Sequence, residues 1–244
     1  MLIKTDGILS HRNRKMGTNM RILLTHLQHI RHPDIEHYRL EPFMDLNVNR
    51  IIGYEVLSQL RDGLDAEQWF TTISGRQQID ILLEQIHCVS AKIKEPCFYN
   101  LSVDGFLSLN HCDISRISGY DGICLEVSDA STLKYLDGKE KYLLLKRISR
   151  LRYSGVKIWL DDFAINDLIT LPTYRNNIDG IKIDKSEVNS VNLRNIISLV
   201  KLCMGCLPIV VEGIETERVR YETFESGADI GQGYLWGQYC LAVA

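Results

Sequence analysis

No apolar stretch in this 244-residue chain approaches the roughly 18 residues that a membrane-crossing helix needs. The opening Met1-Leu-Ile-Lys-Thr-Asp-Gly also lacks the basic-then-apolar layout of a secretory leader. Together these exclude a spanning helix and make the cytoplasm the expected compartment. Charge of one sign is missing as well. A formal net charge of -3 gives no footing to an electrostatic binder of nucleic-acid polymers. Nor is there a cysteine framework. Cys88, Cys97, Cys112, Cys124, Cys203, Cys206 and Cys240 are odd in number and irregularly spaced. Cys203-Met-Gly-Cys206 is one C-x-x-C without a second pair or a nearby histidine, so it reads as buried structural thiols rather than a zinc or redox site. Five of the seven histidines, His11, His26, His29, His32 and His37, precede residue 40 without a carboxylate or thiol in pattern, and read as solvated.

What remains is ordinary globular material, 45% apolar and 24% charged. Its length suits one large α/β domain with a substantial core. Residues 1–19 are polar and are expected to form a mobile tail, with the folded domain over 20–244. Residues 20–30 carry Ile22, Leu23, Leu27 and Ile30 at helical spacing, ended by Pro33. Alternation follows. Strand patterns at 38–44 and 51–57 flank the turn signal Asn47-Val-Asn49. Further strands are expected at 97–102, 122–127, 156–160, 178–184, 207–215 and 228–237, with helical patterns at 79–93, 139–152 and 193–204. Roughly eight strands alternating with helices over some 200 residues predict a TIM-like (β/α)₈ barrel.

Several of the strands share a peculiarity: each delivers a polar group at its C-terminal end. These groups are Glu55, Asn100, Glu126, the adjacent pair Asp161-Asp162, Lys182 and Glu212. In a barrel that end carries the chemistry. Carboxylates converging there repel one another unless a cation neutralises them. Oxygen ligands without histidine or cysteine point to a hard cation, Mg²⁺ or Mn²⁺. A carboxylate shared between two such ions, as Asp161 could be, is the basis of a two-metal site for phosphodiester displacement. Lys182 is suited to orienting the attacking water or offsetting developing charge.

In these segments the chain resembles the EAL family of cyclic di-guanylate phosphodiesterases. The matching runs, in order, are Glu41-Pro-Phe-Met-Asp-Leu, Gly53-Tyr-Glu55-Val-Leu, Asn100-Leu-Ser, Leu125-Glu126-Val-Ser, Leu160-Asp161-Asp162-Phe163 and Asp179-Gly-Ile-Lys182-Ile-Asp184. Val211-Glu212-Gly-Ile-Glu215-Thr216 and Gly231-Gln232-Gly-Tyr-Leu-Trp-Gly237 complete them. The resemblance implies a barrel with one antiparallel strand, a homodimer, and hydrolysis of cyclic di-GMP to linear pGpG. It implies that Glu55, Asn100, Glu126 and Asp161 hold one Mg²⁺ or Mn²⁺, and that Asp161, Asp162 and Glu212 hold a second. Lys182 would act on the water, Gln232 would hold water or ligand, and Asp184 and Glu215 would support them. Ca²⁺ would occupy the site without turnover.

The chain departs from the family in several places, the first being Val56, where the signature triplet has alanine. Gln59 stands where the family usually has an arginine that contacts phosphate; Arg61, two residues on, is the candidate substitute. Glu41 replaces a glutamine. Ala164-Ile-Asn166-Asp167-Leu168 replaces a glycine-bearing loop that Asp129, in place of a glutamate, would brace. The C-terminal helix of the family has no counterpart after Gly237. Two functions therefore compete: an active phosphodiesterase with its full ligand set, and a catalytically impaired regulator that binds cyclic di-GMP or a protein partner such as a transcription factor.

Overall fold

The computed structural model describes residues 32–61, 64–128, 130–188 and 192–242. The expected tail, the helical pattern over 20–30 and Asp129 lie outside them. Eight strands close a barrel: β1 (Ile35–Asp45), β2 (Arg50–Leu60), β3 (Cys97–Leu101), β4 (Ile123–Val127), β5 (Lys157–Phe163), β6 (Gly180–Ile183), β7 (Ile209–Val211) and β8 (Ile230–Gly231). β2 to β8 run parallel, and β1 closes the ring antiparallel to both β8 and β2. The expected antiparallel strand is thus the first. Its hairpin to β2 uses the predicted turn, with Asn49 at φ 51° and Asp45 Oδ1 accepting from the Asn47 and Val48 amides. β7 and β8 are shorter than the sequence pattern suggested. After Val211 and Gly231 the backbone turns away through Gly213 (φ 72°) and Gly233 (φ 154°).

Helices cover the outside: α1 (Ala66–Thr72), α2 (Gly75–Ser90), α3 (Val103–Ser108), α4 (His111–Ile117), α5 (Gly138–Tyr153), α6 (Leu171–Tyr174), α7 (Leu193–Met204) and α8 (Glu217–Glu225). α2 shows why such segments are helical. Ser74 and Gln77 form a capping box, and Ile79, Leu82, Leu83, Ile86 and Val89 make one buried stripe. Each such side chain contributes about 1.5–3 kcal/mol by leaving water. Among the described residues no helix is long and apolar enough to cross a membrane.

One expectation needs correction. Of the cysteines, all free, Cys97 and Cys124 are buried, but Cys206 is exposed just past α7, as are Cys112 and Cys240. Among the described residues no helix follows Gly237, as expected. Tyr239–Ala242 forms a ninth strand, β9, antiparallel to His37–Leu40 of β1.

Inside the barrel, strand alternation stacks two unlike layers. The floor is apolar: Phe43, Phe98, Cys124, Trp159, Val210 and Ile230. Gly53 and Gly180 make room for it. A Cβ at Gly180 would lie 2.3 Å from the Trp159 ring, and one at Gly53 3.0 Å from Phe98. Two residues further up each parallel strand comes a polar group: Glu55 above Gly53, Asn100 above Phe98, Glu126 above Cys124, Asp161 above Trp159. Lys182 follows Gly180, Glu212 follows Val210 and Gln232 follows Ile230 in the same way. On antiparallel β1 the offset reverses, so Glu41 stands two residues before Phe43.

Candidate functional site

Lys182 is the hub of the polar layer. Its side chain is 1% exposed, and its Nζ lies 2.7 Å from Glu212 Oε1, 2.8 Å from Asp161 Oδ1, 3.3 Å from Glu55 Oε2 and 3.4 Å from Glu126 Oε1. Below it the Phe43 ring centroid is 5.7 Å away. Burial alone would discharge a lysine, but Asp161, Glu126, Glu212 and Glu55 hold its pKa well above the ordinary value. Lys182 is therefore an ammonium.

The carboxylates respond differently to the same surroundings. Burial would raise Glu55, yet the Lys182 charge and hydrogen bonds from Gln232 Nε2 (2.6 Å) and Asn100 Nδ2 (2.7 Å) hold it below 4.5. Glu126 is fully buried and lies well above 4.5, pushed first by burial and then by its acidic neighbours despite Lys182. Asp161 is raised by burial, partly offset by Lys182. Burial and the charges of Asp161 and Glu55 push Glu212 up to about 8.

Asp162 reaches the cluster by an irregularity that simple alternation does not foresee. Leu160 pairs with Ile181 but Phe163 with Ile183, so β5 carries one residue more than β6 between those pairs. The bulge falls on the Asp pair and turns Asp162 into the left-handed region at φ 51°. A single extra residue thereby brings both carboxylates to one side. Asp162 sits at the rim, where partial burial of its carboxyl and the Asp161 charge push it up to about 7. It hydrogen-bonds Asp184, which is held below 3.8 by the Ser186 amide and hydroxyl and by Asp162, against the effect of its burial.

Two sets of oxygens result. Glu55, Glu126 and Asp161 each offer one atom within 4.8 Å of the others, and so do Asp161, Asp162 and Glu212. Asp161 belongs to both. Among the described residues, neither buried oxygen of Glu126 has a hydrogen-bond donor. With all five carboxylates ionised against one ammonium, the formal charge is -4. This donor set fits hard divalent cations. Asn100 stands beside Glu55, with its Oδ1 accepting from Ser128 Oγ at 3.1 Å. Gln232 Nε2 bridges Glu55 to Glu41 Oε2 (3.2 Å). Arg61 and Glu215 are exposed, and none of the bonds knitting the cluster runs to either.

The loop after Asp162 has its own support, which the sequence did not reveal. Buried Asp167 accepts from the Ala164 amide (3.1 Å) and pairs with Lys134 (3.4 Å), while buried Glu187 accepts from the Ile165 amide (3.0 Å). Asn166 is not left-handed; that conformation falls on Asp162 instead. Two buried carboxylates thus hold the backbone of this glycine-free loop. Asp167→Ala should weaken Mn²⁺ binding about 10- to 100-fold, the usual effect of losing a group that orients ligands. Calorimetry giving unchanged Mn²⁺ affinity would show that the brace is irrelevant to the site.

The raised pKa values set a pH dependence. Folded Glu126, Asp161 and Glu212 bind protons more tightly than their unfolded counterparts, so metal-free stability should fall as pH rises from about 4.5 toward 8. The Glu55 contribution is already complete above 4.5, and that of Lys182 persists below its own high pKa. Bound cations replace the protons. Mn²⁺ should therefore raise the melting temperature more at pH 8 than at pH 5.5; an equal rise at both would contradict this.

The sequence matches the EAL domain family model over residues 28–239, and the chain belongs to the EAL domain family. The probable cyclic di-GMP phosphodiesterase PdeI of Escherichia coli (strain K12) is 25% identical over 225 residues, covering 80% of this chain and 28% of PdeI. The chain spans less than a third of the curated relatives it matches. Among solved structures, the PaMucR phosphodiesterase in its c-di-GMP complex has a TM-score of 0.67 at 20% identity, covering 85% of this chain and 97% of that one. Klebsiella pneumoniae BlrP1, in a manganese/cy-diGMP complex at pH 9.0, has a TM-score of 0.66 at 19% identity, covering 89% of this chain and 61% of BlrP1. These structural likenesses carry the barrel fold.

Proposed function

We propose that the chain is a divalent-metal-dependent phosphodiesterase that hydrolyses cyclic di-GMP to linear pGpG. The observation that carries this is the pair of oxygen sets sharing Asp161 around Lys182. Glu55, Asn100, Glu126 and Asp161 would hold one Mg²⁺ or Mn²⁺, and Asp161, Asp162 and Glu212 the other. When bound, such ions lower the pKa of water and neutralise the phosphoryl oxygens. Lys182, set among Glu55, Glu126, Asp161 and Glu212, is placed to donate a hydrogen bond and offset charge at phosphorus. Gln232 fixes Glu55, and the Asp167 and Glu187 brace steadies the segment after Asp162. Water adds to phosphorus, one P–O ester bond breaks, and the departing sugar oxygen takes up a proton.

The altered loop, with Gln59 and the absent C-terminal helix, is a ground for a non-catalytic regulator. Its buried carboxylate brace favours turnover instead. The homodimer implied by the family resemblance belongs to the same proposal. Tyr135 (79% exposed) and Ile169 (80% exposed) lie on two 3₁₀ helices, Ala130–Tyr135 and Ile165–Thr170, tied by Lys134 and Asp167, and offer an apolar face for it. Incubating the purified chain with cyclic di-GMP and Mn²⁺ should give pGpG, and EDTA or Ca²⁺ should stop it. Tight nucleotide binding without product would replace the enzyme by a binding protein.

A further inference from the structure

The polar layer is strongly acidic, yet on the proposed reading it must receive a phosphodiester anion. Lys182 cannot serve as the entry cation, since it is 1% exposed and surrounded by four carboxylates. The position where the family resemblance leads one to expect an arginine holds Gln59. Arg61 does not fill the gap: β2 ends at Leu60, the Arg61 amide bonds Asp34 O, and the residue is exposed.

A different guanidinium stands there. Arg39 lies two residues before Glu41 and four before Phe43 on β1, and so shares their inward side at the barrel mouth. It pairs in register with Leu57, two residues beyond Glu55. Its Nη1 is 3.4 Å from Gln59 Oε1 and its Nε 3.2 Å from Glu41 Oε1. Glu41 is held in turn by Gln238 Nε2 (2.8 Å) and by Gln232, the residue that bonds Glu55. Arg39 is thus one residue, Glu41, and one amide, Gln232, away from the carboxylate cluster. Its side chain is 33% exposed, open to a ligand where Lys182 is closed. The two departures at positions 41 and 59 meet at this one guanidinium: Glu41 Oε1 pairs with its Nε and Gln59 Oε1 accepts from its Nη1. A planar fork with donors to spare is suited to a phosphate.

We propose that Arg39, delivered from the antiparallel strand, is the phosphate-binding cation of this site and takes the place of an arginine at position 59. The inference deepens the phosphodiesterase reading and rests on it. The test is the Kd of cyclic di-GMP in Ca²⁺, where binding is separated from turnover, with melting temperatures alongside. Arg39→Gln should raise Kd about 10- to 100-fold, the range of a lost charge-assisted hydrogen bond. The exchange Arg39→Gln with Gln59→Arg should bring Kd back toward wild type. If Arg39→Gln lowers the melting temperature but leaves Kd unchanged, Arg39 is only a structural partner of Glu41 and the assignment falls. An exchange variant as weak as Arg39→Gln overturns it too. Wild-type protein that binds no cyclic di-GMP removes the underlying reading, a result distinct from either.

Discussion

Lys182→Met is expected to destabilise the metal-free protein at pH 8 by about 3–5 kcal/mol, the usual effect of stripping one partner from a buried ion pair. For a domain of this size that is roughly 6–20 °C in melting temperature. The reason is arithmetic of charge. Lys182 is the shared partner of Glu55, Glu126, Asp161 and Glu212, and without it four carboxylates face one another above an apolar floor. At pH 5.5 the loss should shrink, because the raised carboxyls can take up protons instead. Mn²⁺ should restore most of the stability and none of the turnover. A metal-free Lys182→Met protein that melts with wild type would show that the ammonium is not the cluster's counter-charge.

Glu55→Ala should behave in the opposite way. It removes an anion from an acidic cluster and leaves Lys182 three partners, so the barrel should fold. Asn100 and Gln232 each lose a hydrogen bond, a modest loss beside that of Lys182. Turnover should fall at least about 10³-fold, since an ion held by Glu55 is assigned several kcal/mol of transition-state stabilisation. The isosteric Glu55→Gln should lose activity alike while keeping the packing. Turnover surviving in both would refute Glu55 as a ligand.

Much of this site was legible in the sequence because a parallel barrel repeats one rule. Apolar strands that end in a polar residue, read in order, named Glu55, Asn100, Glu126, Asp161, Lys182 and Glu212, and the structure brings them together. What escaped depends on pairings between distant segments. The bulge that brings Asp162 to the rim of the cluster exists only relative to β6. The brace on Ala164 and Ile165 comes partly from Glu187, 22 residues on from Ile165. Strand β9 has a register only against β1. Arg61 shares parity with Gln59 on paper, but β2 ends before reaching it. Arg39 gains meaning only when the hairpin sets it beside Gln59.

Central to this account is that the acidic cluster holds two cations bridged by Asp161. Crystals grown in Mn²⁺ with the nucleotide, measured for anomalous scattering, test it most directly. The expected result is two peaks, one bounded by Glu55, Asn100, Glu126 and Asp161, the other by Asp161, Asp162 and Glu212. A cluster without anomalous density, with Lys182 still paired to all four carboxylates, would contradict it.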